Sequence, residues 1–255
     1  MSIQVSLDGL SFCVLDTIAK RVVNAHSLNF KTESTPYLLL KELKKVFDDH
    51  NLGKEKYEEV TIVHKNDLFC LVPKSLFDKN ELPNYLKFNT KLLANDEIVY
   101  DVLPSHDLVC VYVPFTNINN YVFDDFGEFE FKHHSMVILQ TLFHQKNKRK
   151  VCYVHVSKSA MEITVLEQKK LLLYNQFSYK TPEDFIYYVL FTYEQLKLNV
   201  EEVKLKLFGD IEEGDPIFDI CYQYIKKVNI SVPKYGHDNL TDMDSSTIDL
   251  TLLNN

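Results

Sequence analysis

At 255 residues the chain can form one large domain or two lobes, and 45% hydrophobic with 25% charged residues is the balance of a globular protein. A net charge of -8, with Arg21 and Arg149 as the only arginines, argues against broad contact with nucleic acid or an anionic membrane surface. The apolar runs are too short or too broken to span a bilayer, and no basic-then-apolar leader opens the sequence, so a cytoplasmic protein is expected.

The first stretch with a clear pattern is VSLDGLSFCVLD, residues 5–16, where two alternating runs meet at Asp8-Gly9 and predict a β-hairpin. Thr35-Pro36 then supplies a helix cap and an N1 proline, and Leu39, Leu40, Leu43, Val46 and Phe47 fall on one helical face. Residues 60–63 and 67–72 read as strands around a hairpin-like pause at Lys65-Asn66. Residues 97–103 and 108–113 alternate around Pro104-Ser105-His106-Asp107, and residues 120–131 are expected to form another hairpin turning at Asp125–Gly127. Met136, Leu139 and Phe143 share a helical face over residues 135–144. The basic run Lys146–Lys150 reads as a linker between lobes. A second Thr-Pro start, Thr181-Pro182, precedes Phe185, Tyr188, Val189, Thr192 and Leu196 on one face, and Asp215-Pro216 opens a third such helix. From Tyr235 the sequence is polar, and a loose tail or an edge strand is expected.

An internal repeat organises these elements. SLDGLSFCVLD, residues 6–16, aligns without a gap with SKSAMEITVLE, residues 157–167. Each copy continues into another apolar run, a Thr-Pro helix start, and a strand opened by Glu-Glu-Val, at residues 58–60 and 201–203. The order β-β-β-α-β thus occurs twice, at a spacing too long for a solenoid. The expected architecture is α/β with mixed sheets, as lobes at residues 1–145 and 151–232 with a polar tail at residues 235–255.

Two lobes of this order resemble the actin-like ATPase fold shared by actin, sugar kinases, heat-shock chaperones and pilus-assembly homologues. More narrowly, VSLDGLSFCVLD, the strand end at Val72-Pro73 and LFGDIEEGDPIFDICYQYI resemble an uncharacterised bacterial family assigned this fold. The resemblance implies that the turn of each hairpin lies where phosphate would be gripped, and that the segment at Gly209-Asp210 lies where adenosine would be held. An active member needs a metal-orienting Asp and glycines in both turns, so that bare backbone N–H groups can close on phosphate. Here Ser6 stands at the first Asp position, followed by Asp8 and Gly9. The second turn reads Ser157, Lys158, Ser159, with neither glycine nor acid, and moving the register by two places His155 at the Asp position instead. Ser6, Asp8, Gly9, Ser157, Lys158, Ser159, Gly209 and Asp210 are therefore expected to mark a vestigial cleft with no catalytic residue, metal or cofactor. The function this implies is a pseudo-ATPase that binds an unidentified protein partner as a scaffold or regulatory module. The alternative is an ATPase or small-molecule kinase that seats ATP and Mg²⁺ on Asp8, Ser157, Ser159, Gly209 and Asp210, or a protein that binds nucleotide without hydrolysing it.

Other clusters carry less. His133 and His134 are expected to be strand neighbours facing opposite ways, unable to share an ion. His26, His64, His106 and His155 have no partner fixed by spacing, and the acidic run at Asp210, Glu212, Glu213 and Asp215 lacks EF-hand spacing. Cys13, Cys70, Cys110, Cys152 and Cys221 show neither pairing rhythm nor metal spacing and are expected as reduced, buried thiols. Tyr187, Tyr188, Tyr193, Tyr222 and Tyr224 crowd the helices of the second lobe; their rings are expected to face the core, an exposed share instead forming a partner surface.

Overall fold

The computed structural model describes residues 1–19, 21–88, 90–103 and 106–231. The chain divides within its fourth helix, between Gln140 and Thr141, into two units. In chain order the first contains β1 (Ser2–Val5), β2 (Gly9–Asp16), β3 (Arg21–Asn29), α1 (Pro36–Asp49), β4 (Thr61–His64), β5 (Phe69–Pro73), α2 (Leu82–Leu86), β6 (Val99–Leu103), β7 (Leu108–Tyr112), α3 (Thr116–Phe126) and β8 (Glu130–His133), and runs into α4 (His134–Phe143). Beyond the division follow β9 (Lys150–Val156), β10 (Ala160–Glu167), β11 (Lys170–Ser178), α5 (Pro182–Gln195), β12 (Lys204–Gly209), α6 (Pro216–Tyr224) and β13 (Val228–Ile230).

The principal sheet of the first unit has the order β3-β2-β1-β4-β8, and the sheet of the second has β11-β10-β9-β12-β13. The pairing sense agrees strand by strand: two antiparallel pairs through the hairpin strands, then two parallel pairs. The register shift between Val14 and Leu15 in β2 recurs between Val165 and Leu166 in β10. These two positions coincide in the repeat alignment, so the internal repeat extends to a bulge in the ladder.

Each helix that follows a hairpin starts as the sequence predicts. The Thr35 hydroxyl accepts the Leu38 N–H, and Thr181 and Asp184 form a reciprocal capping box, with proline at the first position of each helix. Leu39, Leu43, Val46 and Phe47 of α1 are buried against β1, β2 and β4 through Ile3, Val5, Phe12 and Ile62. In the second unit Phe185, Val189 and Tyr193 of α5 close on Val154, Ile163 and Leu205. Between β4 and β8 the first unit carries an insertion, a three-stranded antiparallel sheet of order β5-β7-β6 with Leu86 of α2 in its core.

Three expectations are corrected. Residues 116–126 form α3, not a hairpin: Ile118 and Val122, four apart, are both fully buried, and Gly127 at φ +77° ends the helix. Lys65-Asn66 is not a hairpin turn, because β4 pairs with β1 and β8 while β5 pairs with β7 in the other sheet. His133 and His134 are not neighbours on one strand, since His133 ends β8 and His134 begins α4. The tail from Tyr235 and the Pro104-Ser105 turn lie outside the described residues.

Candidate functional site

The first hairpin turn is closed by Ser6. The Ser6 N–H donates to the Gly9 carbonyl (2.9 Å), as a continuing ladder would. The Ser6 hydroxyl accepts from the N–H groups of Asp8 (3.2 Å) and Gly9 (3.0 Å) and donates to the Gly9 carbonyl (3.0 Å). A serine satisfying the amides two and three residues on is a side-chain substitute for a backbone turn. The amides that a phosphate would need at this turn are therefore already bonded within it. Gly9 is required by close approach rather than by a ligand, because a Cβ there would stand 2.5 Å from the Leu28 carbonyl oxygen of β3. Asp8 is exposed at the tip.

The second turn repeats the backbone without the glycine. Ser157 N–H donates to the Ala160 carbonyl (2.9 Å), and Tyr179 N–H to the Ser159 carbonyl (3.1 Å), as Phe30 N–H donates to the Asp8 carbonyl (2.8 Å) in the first. Lys158 and Ser159 are exposed. The Tyr179 hydroxyl donates to the Ser157 carbonyl (2.6 Å). Burial, reinforced by the charges of Asp210 and Asp215, pushes that hydroxyl up to about 12. Gly209 ends β12 and Asp210 follows it, the Asp210 N–H donating to the Val156 carbonyl (2.8 Å) at the end of β9. Of the sequence-predicted residues, Ser6, Asp8 and Gly9 thus share one turn, and Ser157, Lys158, Ser159, Gly209 and Asp210 gather at one end of the second sheet. The carboxylates of Asp210 and Asp215 lie near the Tyr179 hydroxyl at that end.

Gly209 has its own structural cause. Its φ is +95°, and a Cβ would lie 2.4 Å from the Val156 carbonyl oxygen and 2.8 Å from the His155 ring. His155 is buried, with Nδ1 2.5 Å from a carboxylate oxygen of buried Glu162, its directly opposite residue on β10. A carboxylate fixes the tautomer and orientation of its imidazole partner. At the corresponding places of the first unit Gln4 faces Ser11, both buried. A polar pair inside an apolar hairpin therefore recurs, and extending the gapless alignment two residues back, to Gln4 and His155, carries the signal.

The first unit buries His64, His133 and His134. His64 accepts the Phe115 N–H at Nδ1 (3.2 Å), so Nε2 carries the proton and donates to Asn119 (2.9 Å). Burial lowers its pKa to about 4, against the smaller upward pull of Asn119. His133 accepts the Ser135 N–H at Nδ1 (3.2 Å), lies 2.7 Å from the Ser135 hydroxyl, and donates from Nε2 to the Asn66 carbonyl (3.3 Å). Asp101 accepts the backbone N–H of His133 (2.8 Å) and the Tyr112 hydroxyl (3.2 Å). Serine, histidine and aspartate meet here, but the carboxylate holds the histidine's backbone rather than its ring, so it cannot orient the imidazole as a nucleophile's base requires.

A family described as a protein of unknown function, DUF3822, matches residues 1–228. The chain belongs to the DUF3822 family. No curated protein is significantly similar to the sequence. Among solved structures, a Bacteroides thetaiotaomicron protein with actin-like ATPase fold and unknown function is 27% identical, with 90% of this chain and 89% of that one covered and a TM-score of 0.76. The PilM-PilN type IV pilus biogenesis complex contains a chain 10% identical, with 91% and 87% covered and a TM-score of 0.57. This DUF3822 protein therefore has the actin-like ATPase fold. Within that fold, the DUF3822 chain spends its first-turn amides on its own serine.

Proposed function

We propose that this protein is an actin-like module that does not hydrolyse nucleotide and acts by binding another protein. The observation that carries the reading is the Ser6 hydroxyl, which holds the Asp8 and Gly9 amides at hydrogen-bond distance. To seat a phosphate, the turn would first have to give up those bonds. The serines and lysine of the second turn supply no carboxylate for magnesium. A partner surface is supported by the aromatic side chains that α5 and α6 leave exposed. Tyr187 (61% exposed) stacks on Phe191, and Tyr222 (65%) on Phe218, contrary to the expectation that these tyrosine rings face the core. Tyr193 does face it. Exposed aromatic pairs give large contact area at low entropic cost. A chain of this fold in the PilM-PilN complex belongs to a protein assembly, which is consistent with that use of the scaffold.

Thermal unfolding with and without Mg-ATP or Mg-ADP tests the reading. A ligand at 100 times its Kd adds about 2.7 kcal/mol to a folded protein. We expect no shift, and no change on Asp8→Ala. A clear upward shift that Asp8→Ala abolishes would establish the nucleotide-binding alternative.

A further inference from the structure

We infer that the first unit carries a two-histidine site for a divalent transition-metal ion, formed by His26 of β3 and His50 at the C-terminal cap of α1. The ring centres lie 4.7 Å apart with planes tilted by 41°. An ion about 2.1 Å from one nitrogen of each ring sits about 3.2 Å from each centre, and a ligand angle of about 90–110° then separates the centres by roughly 4.5–5.2 Å. The observed spacing falls in that range. Both residues are half-buried, and neither ring nitrogen bonds to another group among the described residues. Phe12, buried beneath, packs edge-on against His50 and tilted against His26, which limits how far either ring can turn away.

The electrostatics favour a cation. His50 caps the negative end of the α1 dipole, the last turn holds no basic residue, and exposed Asp48 and Asp49 precede the cap. The fold itself does not demand this pair. By the repeat, Phe12 opposite His26 corresponds to Ile163 opposite Asn175, and the cap His50 corresponds to the α5 cap Leu196. The second unit therefore forms the same hairpin and helix end with asparagine and leucine. Imidazole ligands suit zinc, copper or nickel rather than magnesium or calcium, and two of them leave positions for water or a further ligand.

The test uses the full chain and zinc chloride in a calorimetric titration near pH 7.4. His26→Asn and His50→Leu are the variants, because the second unit already carries those residues at the corresponding positions. His144→Ala is the surface control, and circular dichroism verifies folding. We expect one zinc per chain, with at least tenfold weaker binding in each of the two variants and unchanged binding in the control. Zinc binding that survives both substitutions, or wild-type heats no larger than dilution, would overturn the proposal.

Discussion

Ser6 illustrates how one side chain can decide what a loop is able to hold. In Ser6→Ala the Asp8 and Gly9 amides lose their acceptor, and the turn must recruit water. The Asp8 amide is exposed, so solvent replaces part of what is lost, and a destabilisation of about 1 kcal/mol is expected in urea unfolding. Ser6→Thr keeps the hydroxyl and should lose less than half of that. An equal loss in both would mean that the hydroxyl bonds contribute nothing to the turn. At this scale the sequence was informative where the interactions are local. Ser6, Asp8 and Gly9 lie within four positions, and their hairpin could be read from alternation alone. His155 and Glu162 are seven residues apart and meet only once β9 and β10 are in register. The His133–Asn66 bond spans 67 positions, and no spacing rule reaches that far.

At the scale of elements, the repeat made the hairpins, α1, α5 and the strands after them legible, because each is signed by its own caps and periodicity. In the insertion β5, β6 and β7 were also legible from alternation, but their place in a separate sheet and the helix α3 were not. Residues 120–131 contain enough β-branched and aromatic residues to imitate strands, and the packing of Ile118 and Val122 decides for helix. The insertion meets the principal sheet through buried polar groups, and these give opposite pH responses. Burial raises Asp101 from 3.8 to about 6, against downward pulls from the His133 N–H, the Tyr112 hydroxyl and the Lys132 charge. A carboxylate with a raised folded pKa stabilises the fold progressively as pH falls from 6 towards 4, by roughly 3 kcal/mol at most. His64 is lowered from 6.5 to about 4, so its contribution is present above 6.5 and lost as pH falls through that window, by a similar amount. The two terms nearly cancel in the wild type. Asp101→Asn should therefore show stability falling from pH 6.5 to 4, and His64→Gln should show it rising, each relative to the wild-type profile in urea unfolding. Parallel profiles for all three proteins would contradict the assignment.

For the molecule as a whole, the question is which force a protein partner would use. The chain is acidic by eight charges, and its one basic run, Lys146–Lys150, is short. An electrostatic partner would need to be strongly basic, and its binding would weaken steeply with salt. Contact through Tyr187, Phe191 and Tyr222 would instead bury apolar area, which salt does not screen. At about 0.5 M sodium chloride the screening length is only roughly 4 Å, so rim charges contribute little. We therefore expect a partner captured from a native lysate to remain bound at that salt, and the double variant Tyr187→Ser, Tyr222→Ser to lose it. Both rings are more than half exposed, so the same variant should unfold within about 0.5 kcal/mol of the wild type. This separates loss of a surface from loss of the fold. Tyr193→Ala is the contrasting substitution: it is 1% exposed, its ring lies in the core of the second unit, and its hydroxyl donates to the Val203 carbonyl. Its cost of about 3–5 kcal/mol should remove partner binding only by unfolding the protein. A partner released by salt and indifferent to the double variant would place recognition on charge, away from α5 and α6.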